Sequence, residues 1–171
     1  STRMGYEKFG FLAAKDYWFD NNFRRRFFKN LINLIPISRK PNPESLDLDD
    51  TMTLSKAFMD LGNNIIIFPE GSRGEVGKIQ RFRKGAVKFS MGLDVPILPA
   101  AIMGAEKAWP KGEKFIKPFP ITVKVLPKID PPKTKELSKT AYNKALSKIT
   151  KDLEIKISEA VKELKETKSP D

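Results

Sequence analysis

The sequence contains no histidine and no cysteine among its 171 residues. Without histidine the chain cannot supply the imidazole base of a Ser-His or Cys-His nucleophile pair. Without cysteine it has no disulfide and no thiolate metal ligand, which fits a reducing compartment. We therefore expect neither a catalytic residue of these classes nor a metal site within the chain.

Long apolar runs are also lacking. No run approaches the roughly 20 residues that span a bilayer, and residues Ser1 to Lys8 contain no signal-peptide core. A strand pattern begins almost at once, at Phe9–Lys15, whereas a domain boundary usually has a looser lead-in. We therefore expect this chain to be a piece of a longer protein.

Positive charge is what the sequence has in excess. It holds 32 lysines and arginines against 21 acidic residues, which gives a net charge of +11 and an isoelectric point near 9.8. Such a balance favours an anionic partner, which can be a phosphate-bearing ligand, a nucleic acid or an anionic membrane surface. The charge comes with no recognised nucleic-acid motif, so we expect no nucleic-acid partner.

Strand and helix patterns alternate along the chain, which predicts an α/β fold with a mostly parallel sheet flanked by helices. The length suggests one domain with a sizeable core. We expect an α/β domain over residues 1–132 and a C-terminal amphipathic helical segment over 133–171 that packs on it. The predicted strands are Phe9–Lys15, Ile35–Arg39, Ile65–Phe68, Val95–Gly104 and Ile121–Leu126, and the predicted helices are Asn22–Leu34, Asp49–Leu61, Ala86–Leu93 and Thr134–Lys165.

The stretch Ile65–Gly74 is the most informative part of the chain. Its apolar start is typical of a strand buried on both faces, and Pro69 should end that strand because proline cannot continue the ladder. Glu70, Gly71, Ser72, Arg73 and Gly74 follow, at the carboxyl end of a strand, where open α/β sheets bind ligands. Arg73 offers a planar fork for phosphate or carboxylate. The alternative is a tight surface loop with a solvated Glu–Arg pair.

Two basic stretches lie on either side of this motif. The predicted helix Asn22–Leu34 carries Arg24–Lys29 opposite its aromatic residues, so it can lie on an anionic membrane or pack its aromatics into the core. The stretch Lys78–Gly85 precedes a predicted helix, whose amino end would reinforce an anion site beside Arg83 and Lys84. Solvated side chains are the alternative reading of that second stretch.

The C-terminal segment predicts one amphipathic helix or two. Its apolar residues recur every three or four positions, with lysines and glutamates between them. Packing across the sheet is the interpretation we favour, and a coiled-coil or membrane-lying role is the alternative. The stripe consists of Leu137, Ala141, Ala145, Leu146, Ile149, Leu153, Ile157, Ala160 and Leu164.

Four blocks occur in order along the chain: Ile35–Arg39, Phe68–Arg73, Phe82–Gly85 and Val95–Pro99. Together they resemble the glycerolipid acyltransferases, which include the lysophospholipid and 1-acylglycerol-3-phosphate acyltransferases. The Phe-Pro-Glu-Gly-Ser/Thr-Arg block is among the most specific parts of that family's pattern. The lead-in Ala13–Phe19 also resembles a branch in which this domain is fused to, or partners, acyl-activating enzymes.

The resemblance implies transfer of a fatty acyl group from a thioester of coenzyme A or acyl carrier protein to a lysophospholipid or 1-acylglycerol-3-phosphate. The thioester is a co-substrate, and no cofactor is implied. The resemblance also implies a site at the cytoplasmic face of a membrane. Carried over position by position, it assigns acceptor binding to Arg39, Glu70, Gly71, Ser72 and Arg73, a further basic contact to Arg83, and the shaping of the pocket to Pro99.

The sequence departs from the family because it lacks the family's catalytic base. The family uses a histidine and an aspartate in an Asn-His-x4-Asp block, which lies before the first strand found here, and this chain has no histidine. Truncation explains the departure, and a degenerate homologue is the alternative. Because a general base contributes on the order of 10²–10⁴-fold, we expect the chain alone to be inactive. A non-catalytic module that binds anionic lipid or membrane surfaces remains the second hypothesis.

Overall fold

A computed structural model describes residues 8–14, 33–37, 48–72, 77–110, 113 and 115–167. The chain forms two compact units, Ser1–Phe68 and Pro69–Asp171, and each is described by itself. The predicted division into 1–132 and 133–171 concerns the family domain and its C-terminal segment, and it stays a prediction.

The first unit contains a parallel sheet of three strands in the order β2-β1-β3. They are β1 (Phe9–Ala14), β2 (Asn33–Ile37) and β3 (Asn64–Ile66). Central β1 pairs with both neighbours, and Phe11 lies opposite Leu34 on one side and Ile66 on the other. This confirms the predicted parallel pairing for these three strands.

Helix α1 (Leu48–Asp60) connects β2 to β3 and ends where the sequence predicted. Gly62 follows it with φ +80°, a left-handed conformation that stops a helix, and its N–H donates to the Met59 carbonyl at 2.8 Å. The helix approaches the sheet closely at Gly10, where an added Cβ would lie 2.7 Å from a ring carbon of Phe58.

Two sequence predictions for this unit need correction. The helix predicted over Asn22–Leu34 cannot extend to its end, because residues 33 and 34 belong to strand β2 and pair with β1. The rest of that predicted helix, including Arg24–Lys29, lies outside the described residues. Ile65 and Ile66 are half-buried rather than fully buried, and among the described residues β3 pairs with β1 alone.

The second unit combines helices with a two-stranded antiparallel sheet. Its elements are α2 (Gly85–Leu93), β4 (Ala100–Met103), α3 (Ala105–Ala108), β5 (Thr122–Val125), a short 3₁₀ turn (Thr134–Glu136) and α4 (Lys139–Glu166). In the pairing of β4 with β5, Ala101 lies opposite Lys124. The strand predicted over Val95–Gly104 is shorter than expected because Pro96 and Pro99 have no N–H for a ladder, although Ile97 still forms an isolated bridge with Ile129.

Helix α4 completes the core of the second unit. It packs against β4 and α2, and its Leu146 and Leu153 join Phe82, Val87 and Met91 in one buried apolar cluster. All nine residues of the predicted apolar stripe are buried or half-buried, which confirms the predicted stripe. Ser138 caps the helix by accepting a hydrogen bond from Ala141 N–H at 3.2 Å. Among the described residues, no helix has the length and apolar composition to cross a membrane.

Candidate functional site

A short loop after β3 forms one half of the candidate site. The chain leaves β3 and turns at Pro69, whose carbonyl oxygen accepts a hydrogen bond from Arg83 N–H at 2.8 Å. Gly71 then adopts φ +72°, the left-handed region that glycine enters at little cost. The loop is thus bound by its backbone to the segment that precedes α2.

The side chains of Glu70 and Ser72 strengthen this connection. A carboxylate oxygen of Glu70, Oε2, accepts from the Gln80 N–H at 2.8 Å, and the Ser72 hydroxyl donates to Oε1 of Gln80 at 3.3 Å. A carboxylate that accepts a backbone N–H forms a charge-assisted hydrogen bond, which is stronger than one between neutral groups. Glu70 therefore shapes the site by holding Gln80 in addition to any contact it makes with a ligand.

Arg83 lies directly against Gly71. A Cβ added at Gly71 would be 2.9 Å from Nε of Arg83 and 3.4 Å from its Cζ. The missing side chain of the glycine is therefore what allows the guanidinium group to lie over the loop. This contact requires glycine for two reasons, the close approach and the positive φ.

The structure brings together four of the predicted site residues: Glu70, Gly71, Ser72 and Arg83. Arg39 and Arg73 lie outside the described residues, so their predicted roles remain predictions. Pro99 is buried, and its carbonyl oxygen accepts from Leu126 N–H at 2.9 Å, which ties it to the antiparallel sheet rather than to this cluster.

Helix α4 supplies contacts that the sequence analysis missed. Oε2 of Glu154 accepts from Phe82 N–H at 2.6 Å, Lys84 Nζ donates to the Ser147 hydroxyl at 2.9 Å, and Lys165 Nζ donates to the Gly77 carbonyl at 2.8 Å. The three helix residues share one face because their spacings of seven and eleven residues are close to whole numbers of turns. The sequence shows this spacing, but the spacing alone does not identify which residues the three side chains contact.

The electrostatics of the cluster favour an anion. Arg81, Arg83 and Lys84 are exposed, whereas the two nearby carboxylates, Glu70 and Glu154, are half-buried and accept backbone N–H groups. A guanidinium group offers several N–H donors in a planar fork that suits phosphate or carboxylate oxygens. Within the described residues, no group of three or more acidic side chains is placed to hold a metal ion. The arrangement therefore suits a phosphate or carboxylate group, and it contains no imidazole base.

Comparison with known proteins identifies the class. The model of the Acyltransferase family matches residues 3–103, a range that includes the Glu70–Arg83 cluster, and the chain belongs to this family. A solved structure, the 1-acyl-sn-glycerophosphate (LPA) acyltransferase PlsC from Thermotoga maritima, matches with a TM-score of 0.61 at 22% identity and covers 92% of this chain and 57% of that one. This likeness confirms the predicted acyltransferase-like α/β fold.

Curated relatives match over shorter stretches. A 1-acyl-sn-glycerol-3-phosphate acyltransferase of Limnanthes douglasii is 42% identical over 67 residues, which is 39% of this chain and 24% of the relative. A protein of the same name from Cocos nucifera is 33% identical over 85 residues, or 50% and 27%. Another from Borreliella burgdorferi is 31% identical over 101 residues, which is 59% of this chain and 39% of the relative. The chain thus spans well under half the length of these relatives.

Proposed function

We propose that this chain is the acceptor-binding part of a glycerolipid O-acyltransferase that acts on 1-acylglycerol-3-phosphate or a related lysophospholipid. The observation that carries the proposal is the contact of the Arg83 guanidinium with Gly71, beside Glu70 and Ser72. This places an exposed fork of N–H donors at a loop where backbone can approach a ligand closely. The names of the relatives that match part of this chain support the choice of acceptor.

The acceptor's phosphate is the group that the cluster fits best. Phosphate presents several oxygens to the guanidinium fork, and the helix α2 that begins at Gly85 adds the partial positive charge of its amino end. We propose that Arg39 and Arg73 bind the same acceptor. Glu70 would then orient the free glycerol hydroxyl with its second carboxylate oxygen while Oε2 holds Gln80.

In this proposal the acceptor's hydroxyl attacks the carbonyl carbon of a thioester of coenzyme A or acyl carrier protein. A C–O ester bond forms, the C–S bond breaks, and the carrier leaves as its free thiol. The base is supplied from outside this chain because the chain contains no histidine. The thioester is a co-substrate, and we propose that no further cofactor is needed. Transfer that continues after exhaustive dialysis against a chelator would support this point, and transfer restored only by an added metal would overturn it.

We further propose that the protein works at the cytoplasmic face of a membrane, either alone or beside an acyl-activating domain. The proposed acceptor resides in membranes, and a net charge of +11 attracts anionic headgroups. Co-sedimentation with vesicles that contain anionic lipid, lost at high salt and absent with zwitterionic vesicles, is the expected result. Equal binding to both kinds of vesicle would contradict it.

The deciding experiment replaces Arg73 with alanine in the longest reading frame that contains this chain. Loss of a charge-assisted hydrogen bond of about 1.5–3 kcal/mol would lower kcat/KM for the acceptor by about tenfold or more. The KM for the acyl thioester should change little. The control is Lys128→Ala, which also removes one positive charge but lies beside Asp130, with Nζ and Oδ1 3.0 Å apart. Unchanged acceptor kinetics in Arg73→Ala would defeat the assignment.

A further inference from the structure

The segment that carries Arg83 runs along one face of helix α4. Residues 77–84 contact it in reverse order, since Gly77 meets Lys165, Phe82 meets Glu154 and Lys84 meets Ser147. From Ser147 to Lys165 the helix rises about 27 Å at 1.5 Å per residue. An extended chain from residue 77 to 84 spans up to about 24 Å. Helix and segment are therefore matched in length, and the contacts are distributed along both.

Glu154 is the middle contact of the three and is half-buried. Its Oε2 lies 2.6 Å from the backbone nitrogen of Phe82, and the next backbone nitrogen, that of Arg83, donates to Pro69 at 2.8 Å. Two consecutive peptide groups are thus fixed, one by α4 and the other by the loop after β3. The Phe82 side chain is also buried, with 6% of its surface exposed.

The side chain of Arg83 has no such support from the apolar core, because it is exposed. Its position over Gly71 therefore depends on the backbone from which it projects. An arginine held over its ligand site in advance loses less side-chain freedom on binding. A glutamate on a distant helix can in this way affect an anion that it never touches.

We propose that Glu154 is a positioning residue for the anion site. By accepting the N–H of Phe82, it holds the backbone so that the Arg83 guanidinium stays against Gly71. The identity of the anion as an acceptor phosphate rests on the function proposed above, but the positioning of Arg83 does not. The carboxylate of Glu154 takes no part in acyl transfer.

The test measures binding of glycerol 3-phosphate to the chain by NMR, through the Gly71 amide and the Arg83 Nε–H signals. Glu154→Ala should weaken binding by up to about tenfold, because an Arg83 side chain that is not held in advance loses more freedom when it binds. Glu154→Gln should stay within about threefold of wild type because its amide oxygen can still accept. Glu159→Gln, which changes an exposed glutamate of the same helix, should bind like wild type.

Two further measurements separate positioning from general stability. In the ligand-free protein, Glu154→Ala should increase the motion of the Arg83 side chain at temperatures well below the melting transition, and Glu154→Gln should not. In the wild-type protein the Phe82 amide should exchange with solvent far more slowly than an open amide, a result that needs no variant to fold. Rapid exchange at Phe82, or full affinity in a folded Glu154→Ala protein, would overturn the proposal.

The same data distinguish the two proposals. If glycerol 3-phosphate shifts neither Gly71 nor Arg83 in the wild-type protein, the proposed function fails. The positioning role is then still decided by amide exchange at Phe82 and by the motion of Arg83. If the wild-type protein binds but Glu154→Ala binds equally well, the positioning role fails and the proposed function stands.

Discussion

The guanidinium group of Arg83 lies against the α-carbon of Gly71, where any added Cβ would be 2.9 Å from Nε. These residues come from two different family blocks, one after strand β3 and the other before helix α2. Their contact joins the blocks into one cluster. Two of the predictions below test this cluster, and two test the packing of the second unit.

Replacing Arg83 by alanine should weaken binding of glycerol 3-phosphate by about tenfold or more, since a charge-assisted hydrogen bond contributes about 1.5–3 kcal/mol. Arg83→Lys should recover only part of the affinity because lysine keeps the charge but loses the planar fork. Calorimetric titration at low salt measures both. Lys128→Ala, which removes one positive charge elsewhere, is the control. An equal loss of affinity in that variant would show that the effect comes from net charge alone.

Gly71→Ala should reduce both stability and phosphate binding. The positive φ of +72° costs a non-glycine residue about 1–2 kcal/mol, and the new Cβ displaces the Arg83 side chain. Gly62→Ala provides the comparison, because Gly62 has φ +80° and no atom within 4 Å of its built Cβ. Gly62→Ala should lower the stability of the protein but leave phosphate binding unchanged. Kd values for phosphate that rise equally in both variants would count against a specific Gly71–Arg83 contact.

Gly104→Ala should destabilise the second unit more than any other glycine substitution discussed here. Its built Cβ would lie 2.2 Å from the carbonyl oxygen of Pro120, which is backbone, and its φ is +95°. We expect a loss well above the about 1–2 kcal/mol of backbone strain alone, measured by urea unfolding. Gly77→Ala, with φ +77° and a nearest atom at 3.9 Å, should show the strain alone. Equal losses of unfolding free energy in Gly104→Ala and Gly77→Ala would contradict the close approach of Pro120 to Gly104.

Leu153→Ala should cost about 2–5 kcal/mol, because it opens a cavity in the core that α4 shares with α2. Ile155 lies two positions along the same helix and is 44% exposed, so Ile155→Ala should cost much less. Chemical denaturation of both variants measures the difference. Similar unfolding free energies for the pair would show that α4 is not part of this core.

The sequence predicted local features well where one residue type dictates the conformation. Helix α1 ends close to its predicted boundary, at Asp60, and the spacing of the apolar residues in α4 identified the face that is buried, whereas the strand predicted to run to Phe68 already ends at Ile66. These are short-range effects of sterics and periodicity. The four family blocks also predicted that residues near Glu70 and Arg83 form one site.

The contacts between distant segments were not predictable in the same way. The hydrogen bond from Phe82 to Glu154 joins residues far apart in the chain, and nothing in the sequence distinguishes Glu154 from the exposed glutamates of α4, Glu159, Glu163 and Glu166. The strand after Val95 was predicted too long because its apolar composition outweighed the missing N–H groups of Pro96 and Pro99. The prediction that Ile65 and Ile66 are fully buried was also wrong, since burial depends on which strands lie beside β3.

The three hydrogen bonds from α4 to residues 77–84 have a practical consequence for how this protein is cut for expression. The family match ends at residue 103, so a gene trimmed to that boundary retains the four family blocks found in this chain. It discards Ser147, Glu154 and Lys165, together with the leucines that cover Phe82. A polypeptide shortened in this way would keep those four blocks and yet lack the scaffold that keeps its arginine in place.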